Sequence, residues 1–523
     1  MKEECSFFSH RPGAVHPPAG FGKGVRLAVV LILGLLCGCT TVGPDYTPPA
    51  PKLPDAWHQA AVKGMDTGRA DFRRWWGVFN DPVLARLIER ARKGSPDLRL
   101  AAARIREARA SLGVASGEQL PAIDGSGLTQ RGRSGEDFDT GGKTVNTYSL
   151  GLDASWEIDF WGRISRSVAS AEAGLQATVE DYRDALVLLY AEVAGNYTEV
   201  RTLQAQIRYA EANVGIQRDT LQVTRDKLRA EIAPALDVRQ AELNLATTES
   251  EIPSLKISLT QAVNRLAVLC GEYPGALYPV LAETAPIPAP PDTLMTGLPA
   301  DLLRQRPDIR RAERSLAAQT ARIGVATADL YPAFSLSGTF GFESLSSADL
   351  FESGARAWSL GPAFRWNLFN GGRVRSQIRV EEALTEQALV AYEQTVLGAV
   401  EDVENAMVSY VLEKERRALL EKSVTAARKS VELVSQLYKI GLTDFQNLLD
   451  MQRSLFQQQD ALAESEGNVT RNLIQIYRAL GGGWGDEALP KTEPSEPETI
   501  GERVRGYGAK VLNLITSEEE IKK

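Results

Sequence analysis

The chain has 523 residues, with 59 lysines and arginines against 67 aspartates and glutamates, a net charge of −8. Its 43% hydrophobic and 7% aromatic content excludes a disordered chain, a collagen and a polytopic helical membrane protein. The acidity argues against a nucleic-acid binder, and three histidines (His10, His16, His58) are too few for a His/Cys metal cluster or a Ser-His-Asp arrangement.

The N-terminus reads as a targeting segment. Lys23 and Arg26 precede a ten-residue apolar run, Leu27 to Leu36, too short to span a bilayer as a helix but right for a signal-peptide core. The run ends in Leu36-Cys37-Gly38-Cys39, which resembles the bacterial lipoprotein signal: residues 1–38 are removed and Cys39 receives the lipid. An ordinary secretory signal is the alternative. Thr40, where an Asp would mark inner-membrane retention in this lipoprotein class, fits export to the outer membrane. Residues 39–81 then form a Pro-rich arm, with Pro44, Pro48, Pro49, Pro51 and Pro54 favouring extended chain over packed structure.

The body is a tandem duplication. Ser95-Pro96-Asp97-Leu98 recurs as Arg306-Pro307-Asp308-Ile309, and Leu120-Pro121-Ala122 as Tyr331-Pro332-Ala333, each at a spacing of 211. Trp156 then matches Trp366, and Gly162-Arg163 matches Gly372-Arg373, at a spacing of 210. One architectural unit is used twice: repeat 1 over 82–270, repeat 2 over 300–483, a Pro-rich linker over 271–299 between them and a polar tail over 484–523.

Within each copy the periodicity predicts a strand pair and three helices. Tyr148, Leu150, Leu152, Ala154 and Trp156 alternate with small or polar residues, as do Phe334, Leu336, Phe340 and Phe342, and Trp358, Leu360, Phe364 and Trp366. Period-two alternation marks half-buried strands, and the pairs fall at about 122–160 and 333–369. Such a face suits a soluble sandwich or a membrane barrel. The aromatics Tyr148, Trp156, Trp358 and Trp366 resemble an outer-membrane aromatic girdle, and with the lipid anchor they favour the barrel. Helices are expected at 95–118, 163–229 and 235–270, and at 306–330, 373–440 and 443–480, with Pro253 bending the third. The two long segments would extend ~100 Å each at 1.5 Å per residue and must pack laterally. Leu389, Val396, Val403 and Tyr410, and Leu448, Leu455, Leu462, Val469 and Ile476, recur every seven residues in coiled-coil style.

Four strands cannot close a barrel, and an open sheet edge in lipid leaves backbone groups unpaired at several kcal/mol each. Two chains would supply eight strands and three would supply twelve; a lumen that passes solutes favours three.

The lipobox followed by Val42-Gly43-Pro44-Asp45-Tyr46, the segment Trp75-Trp76-Gly77-Val78-Phe79-Asn80-Asp81-Pro82, the duplication, and Leu449-Asp450-Met451-Gln452-Arg453 ahead of Leu480 to Trp484 together resemble the TolC/OprM/NodT family of outer-membrane efflux channels over roughly 40–485. The resemblance implies an α+β membrane protein, a homotrimer with four strands per chain completing a twelve-stranded outer-membrane barrel that continues into a long periplasmic α-helical barrel. It implies a passive exit duct, not an enzyme. No cofactor is expected beyond the lipid on Cys39, and the partners would be a periplasmic adaptor, an inner-membrane transporter of the resistance-nodulation-division class and outer-membrane lipid. By position, Asp450 and Asp237 match acids of a pore gate at the helix tips, Tyr438 matches the tyrosine that bonds across, and Asn447 stands where the first acidic slot would be. For Asp237 helix capping is an equal reading, and for Tyr438 seam packing is. Two rivals stay open: a periplasmic coiled-coil scaffold lipoprotein without a pore, and a carboxylate enzyme using Glu157 and Asp159.

Overall fold

The computed structural model describes residues 41–485 apart from 59–64, 67–71, 134, 136–141, 292–293 and 296–298. The leader, Cys39 and the tail from Asp486 onward lie outside the described residues. Two compact units are formed. Of the described residues, one comprises 41–45, 115–168 and 321–381; the other comprises 46–114, 169–320 and 382–485.

The first unit holds one antiparallel sheet of four strands: β1 (Ala122–Arg133), β2 (Thr144–Ile158), β3 (Ala333–Ser344) and β4 (Arg356–Arg365), in that spatial order. Each copy of the duplication contributes a hairpin, and β2 pairs with β3 to join them. Directly opposed residues share a face, so the register sorts the side chains. Ile123, Leu150, Leu152, Trp156, Leu336, Phe340, Phe342, Trp358, Leu360 and Phe364 fall on one face, while Asp124, Asp153, Ser155, Glu157, Ser335, Ser337, Thr339, Glu343 and Ser359 fall on the other. The apolar face is bare in the single chain: Leu152, Phe340, Trp358 and Leu360 are all more than half exposed. Among the described residues β1 and β4 are paired on one side only.

The second unit is helical, and its elements repeat in length as well as in sequence. Helix α1 (Pro82–Gly94) has no counterpart of its length. Helices α2 (Pro96–Gly117) and α5 (Pro307–Ala328) have 22 residues each. Helices α3 (Arg163–Arg229) and α6 (Arg373–Lys439) have 67 residues each, and α4 (Ala235–Leu269) and α7 (Phe445–Ala479) have 35 each. Helix α4 runs through Pro253 without interruption. No helix among the described residues is long and apolar enough to cross a membrane.

The Trp75–Pro82 segment owes its composition to the core of this unit. Asp81 caps α1, accepting from the Val83 and Leu84 amides at 2.8 and 3.0 Å, and Pro82 starts the helix where its missing N–H costs nothing. Helix α1 then buries Leu84, Leu87, Ile88 and Ala91, spaced as one helical face. Trp75, 2% exposed, stacks on Tyr477 at 5.3 Å, and Tyr197 donates to Asp81 at 2.6 Å. The core therefore joins α1, α3, α6 and α7.

Candidate functional site

The residues singled out for a gate lie at the ends of two helical hairpins. Helix α3 ends at Arg229, the chain reverses over 230–234 and α4 begins; α6 ends at Lys439, the chain reverses over 440–444 and α7 begins. Both reversals use the same wiring. The Ile232 amide donates to the Lys227 carbonyl at 2.8 Å, and the Leu442 amide to the Leu437 carbonyl at 2.9 Å. Each turn needs one left-handed residue, Glu231 at φ 63° and Gly441 at φ 80°; only glycine takes that conformation without steric cost.

A small core, separate from the main one, binds the four helix ends: Leu221, Val238, Ala241, Tyr438, Phe445, Leu448 and Leu449. Tyr438 is its centre. It is 4% exposed, its ring meets Phe445 at 5.6 Å, and its hydroxyl donates to Thr224 Oγ1 at 3.3 Å. Lys227 Nζ donates to the Tyr438 carbonyl and stands 4.3 Å from its ring centroid, so one cation clasps both backbone and ring. Burial, opposed by the Thr224 hydrogen bond, holds the Tyr438 phenol above its ordinary pKa.

Asp237 lies in the first turn of α4, but the N-cap is Pro234 and makes no side-chain cap bond, so the capping reading of Asp237 is not what the geometry shows. Its carboxyl is raised above the ordinary carboxylate range, first by burial and next by the like charge of Asp444, against the pull of Lys227. Asp444 caps α7 through the Asn447 amide at 3.0 Å, and the Asn447 side chain donates to Thr443 at 3.1 Å. Asp450 is exposed and accepts from Gln446 at 2.9 Å. The structure thus draws Tyr438 and Asp237 toward one cation, Lys227, and leaves Asn447 and Asp450 on the exposed part of α7. Lys227, Thr224 and Asp444 carry no sequence motif. A lysine in the last turn of a long helix is expected merely to complement its dipole.

Two other sets of candidates find definite places in the strand unit. Trp366 lies one residue beyond β4, and its indole N–H donates to the Leu330 carbonyl at 3.1 Å. Trp156 does the same to the Gln119 carbonyl at 3.0 Å, at the corresponding point of the other copy. Tyr148 and Trp358 stay within their strands, opposite Ser344 and Phe340. Asp159 lies just past β2 rather than on its polar alternation. It caps α3, accepting from the Ile164 and Ser165 amides at 3.0 and 2.7 Å, while Glu157 is held by Arg163 at 2.8 and 2.9 Å. Both acids are engaged structurally. Among the described residues no group of three or more His, Cys, Asp and Glu side chains is placed to hold a metal.

The family model described as outer membrane efflux protein matches residues 87–272 and again 298–482, once in each copy of the duplication. The chain belongs to the outer membrane efflux protein family. This efflux protein is 32% identical to nodulation protein T of Rhizobium leguminosarum bv. trifolii over 87% of its own length and 96% of the relative's. It is 31% identical to the pyoverdine export outer membrane protein OpmQ of Pseudomonas aeruginosa, over 86% and 97%. The solved outer-membrane channel OprN superposes with a TM-score of 0.80 at 38% identity, covering 85% of this chain and 99% of that one. The efflux protein is therefore an outer-membrane component whose role is export.

Proposed function

We propose that three copies of the chain close one twelve-stranded barrel in the outer membrane and form a passive exit duct that is gated at the helix-hairpin ends. The carrying observation is the sheet. It has a continuous exposed apolar face, a polar face suited to a wet lumen, and two outer strands paired on one side only. Hydrocarbon tolerates the first feature and forbids the last, so neighbouring chains must supply the missing partners. Tyr148 and Trp156 stand eight residues apart on the apolar face, ~27 Å along a strand and ~20 Å once tilted, close to the ~25 Å apolar band that aromatic girdles bracket.

At the hairpin ends the clasp of Lys227 on Tyr438 holds the second long helix to the first, in support of a closed resting state. Asp237, Asn447 and Asp450 would face the constriction, three carboxylates at each acidic level of a trimer, which favour cations and repel anions. Export by a tripartite pump would require a periplasmic adaptor and an inner-membrane transporter of the resistance-nodulation-division class. The diacylglycerol and acyl chains on Cys39 would anchor the arm in the outer membrane; one chain alone binds membranes only marginally.

Planar-bilayer conductance of the detergent-purified protein tests the reading. Stepwise, cation-favouring currents are expected. A protein that inserts but conducts neither as wild type nor with Lys227→Met, which releases the clasp, would instead be the scaffold lipoprotein.

A further inference from the structure

In the helical unit a cavity of about 680 Å³ opens between α2, α3 and α5, a volume typical of ligand pockets. Five arginines line it, Arg109, Arg183, Arg304, Arg310 and Arg314, against three glutamates, which leaves a surplus of two positive charges. Glu180 is 5% exposed; its Oε1 accepts from Arg183 at 2.6 Å and pairs with Arg310 at 2.8 Å. Glu313 pairs with Arg314 and accepts from the Tyr46 hydroxyl at 3.2 Å. Arg109 and Arg304 are exposed. The other oxygen of Glu180, Oε2, is buried and has no hydrogen-bond partner among the described residues, which is rare for a buried polar atom. Such a lining suits an occupant that brings several acidic groups and one donor.

The described chain stops at the wall of this cavity. Trp484 donates its indole N–H to the Gln305 carbonyl at 2.9 Å, and the guanidinium groups of Arg183 and Arg310 stand 4.7 and 5.2 Å from its ring centroid. Two arginines of the lining therefore fix the point from which the tail departs. The tail lies outside the described residues, but its sequence has the chemistry the cavity lacks. Residues 486–498 hold five acids, Asp486, Glu487, Glu493, Glu496 and Glu498, against a single base, Lys491. Pro490, Pro494 and Pro497 favour extended chain. At ~3.1 Å per residue such a chain reaches ~22 Å from Trp484 to Lys491.

We propose that residues 486–498 dock in the arginine-lined cavity of their own chain, with acids on Arg109 and Arg304 and the Lys491 ammonium on Glu180. Tethering selects this occupant. A segment that starts two residues from the wall is held at an effective concentration on the order of millimolar, so ion pairs that are weak one by one suffice together. The docked tail is a strap across the duplication, since α2 and α3 belong to the first copy and α5 to the second. The contact lies within one chain and does not depend on the trimer.

The test is limited trypsin digestion of the full-length protein in detergent, with the cut after Lys491 followed by mass spectrometry. Each rate is divided by that of a free peptide of the same tail sequence, which removes the effect of neighbouring acids on the protease. Cleavage samples the released tail, so the wild type should be cut about tenfold more slowly than its peptide. Salt at about 0.5 M should erase the difference. Arg109→Glu combined with Arg304→Glu, both at exposed positions, should abolish the protection with the helical circular dichroism unchanged. Glu487→Gln, Glu493→Gln and Glu496→Gln together, which leave the folded body intact, should abolish it as well. A wild type without protection, or protection that survives both sets of changes, overturns the docking. So does protection lost in only one set, because the tail and the cavity must then have different partners. If the tail is unprotected while inorganic phosphate binds the wild type and not the arginine variant, the cavity takes a soluble anion and the tail is not its occupant.

Discussion

Lys227 shows how much one side chain can do at the hairpin ends. It reaches the Tyr438 carbonyl and ring together, contacts worth roughly 1–3 kcal/mol in sum. Lys227→Met keeps the stem and deletes the charge, so the resting current in planar bilayers should rise several-fold, and an unchanged current would show that the clasp does not hold the gate. Asp237 adds a pH dependence. Its carboxyl titrates above the ordinary carboxylate range, so the neutral form suits the packed tip. That cohesion is fully present below the unfolded pKa of about 4 and is lost as pH rises through the raised value. Conductance should therefore fall on acidification through that window, and Asp237→Asn should flatten the response. Tyr438 and Asp237 were legible from sequence because a family resemblance points at them. Thr224, which receives the phenol from 214 residues away, was not, because threonine inside a long helix carries no signal of its own.

The two hairpin turns are equivalent elements with unequal residues. Glu231 occupies at φ 63° the left-handed position that Gly441 fills at φ 80°. Strain there costs a non-glycine residue about 1 kcal/mol, so in a chain of this length Glu231→Gly should raise the thermal midpoint of the helical circular-dichroism signal by about 1 °C. Gly441→Ala should lower it by a similar amount. Strand positions were readable from alternation, since a pleated backbone allows only period two. Their ends were not. The alternation continues through Trp366, yet β4 stops at Arg365, paired with Ala333, and the next residue across is Pro332, which has no N–H to give to a ladder. Asp159 likewise fits the polar parity of β2, but its side chain is spent on the amides that open α3.

At the scale of the whole molecule, the exposed apolar face of the sheet decides where the protein can live. Leu360→Arg at the middle of that face should cost ~2–4 kcal/mol in a bilayer. Ser359→Arg, on the polar face, should cost far less, and membrane fractionation distinguishes them by the share of protein left uninserted. Sequence alone determined the duplication, the helix lengths and the two-sided character of the strands, because each is a periodicity carried by neighbouring residues. Only the tertiary structure decided which faces remain bare, that Tyr438 meets Lys227 and Thr224, and that Glu157 and Asp159 are occupied. Those facts depend on residues tens to hundreds of positions apart or on where an element stops, and side-chain contacts of that kind leave no period in the chain to be read.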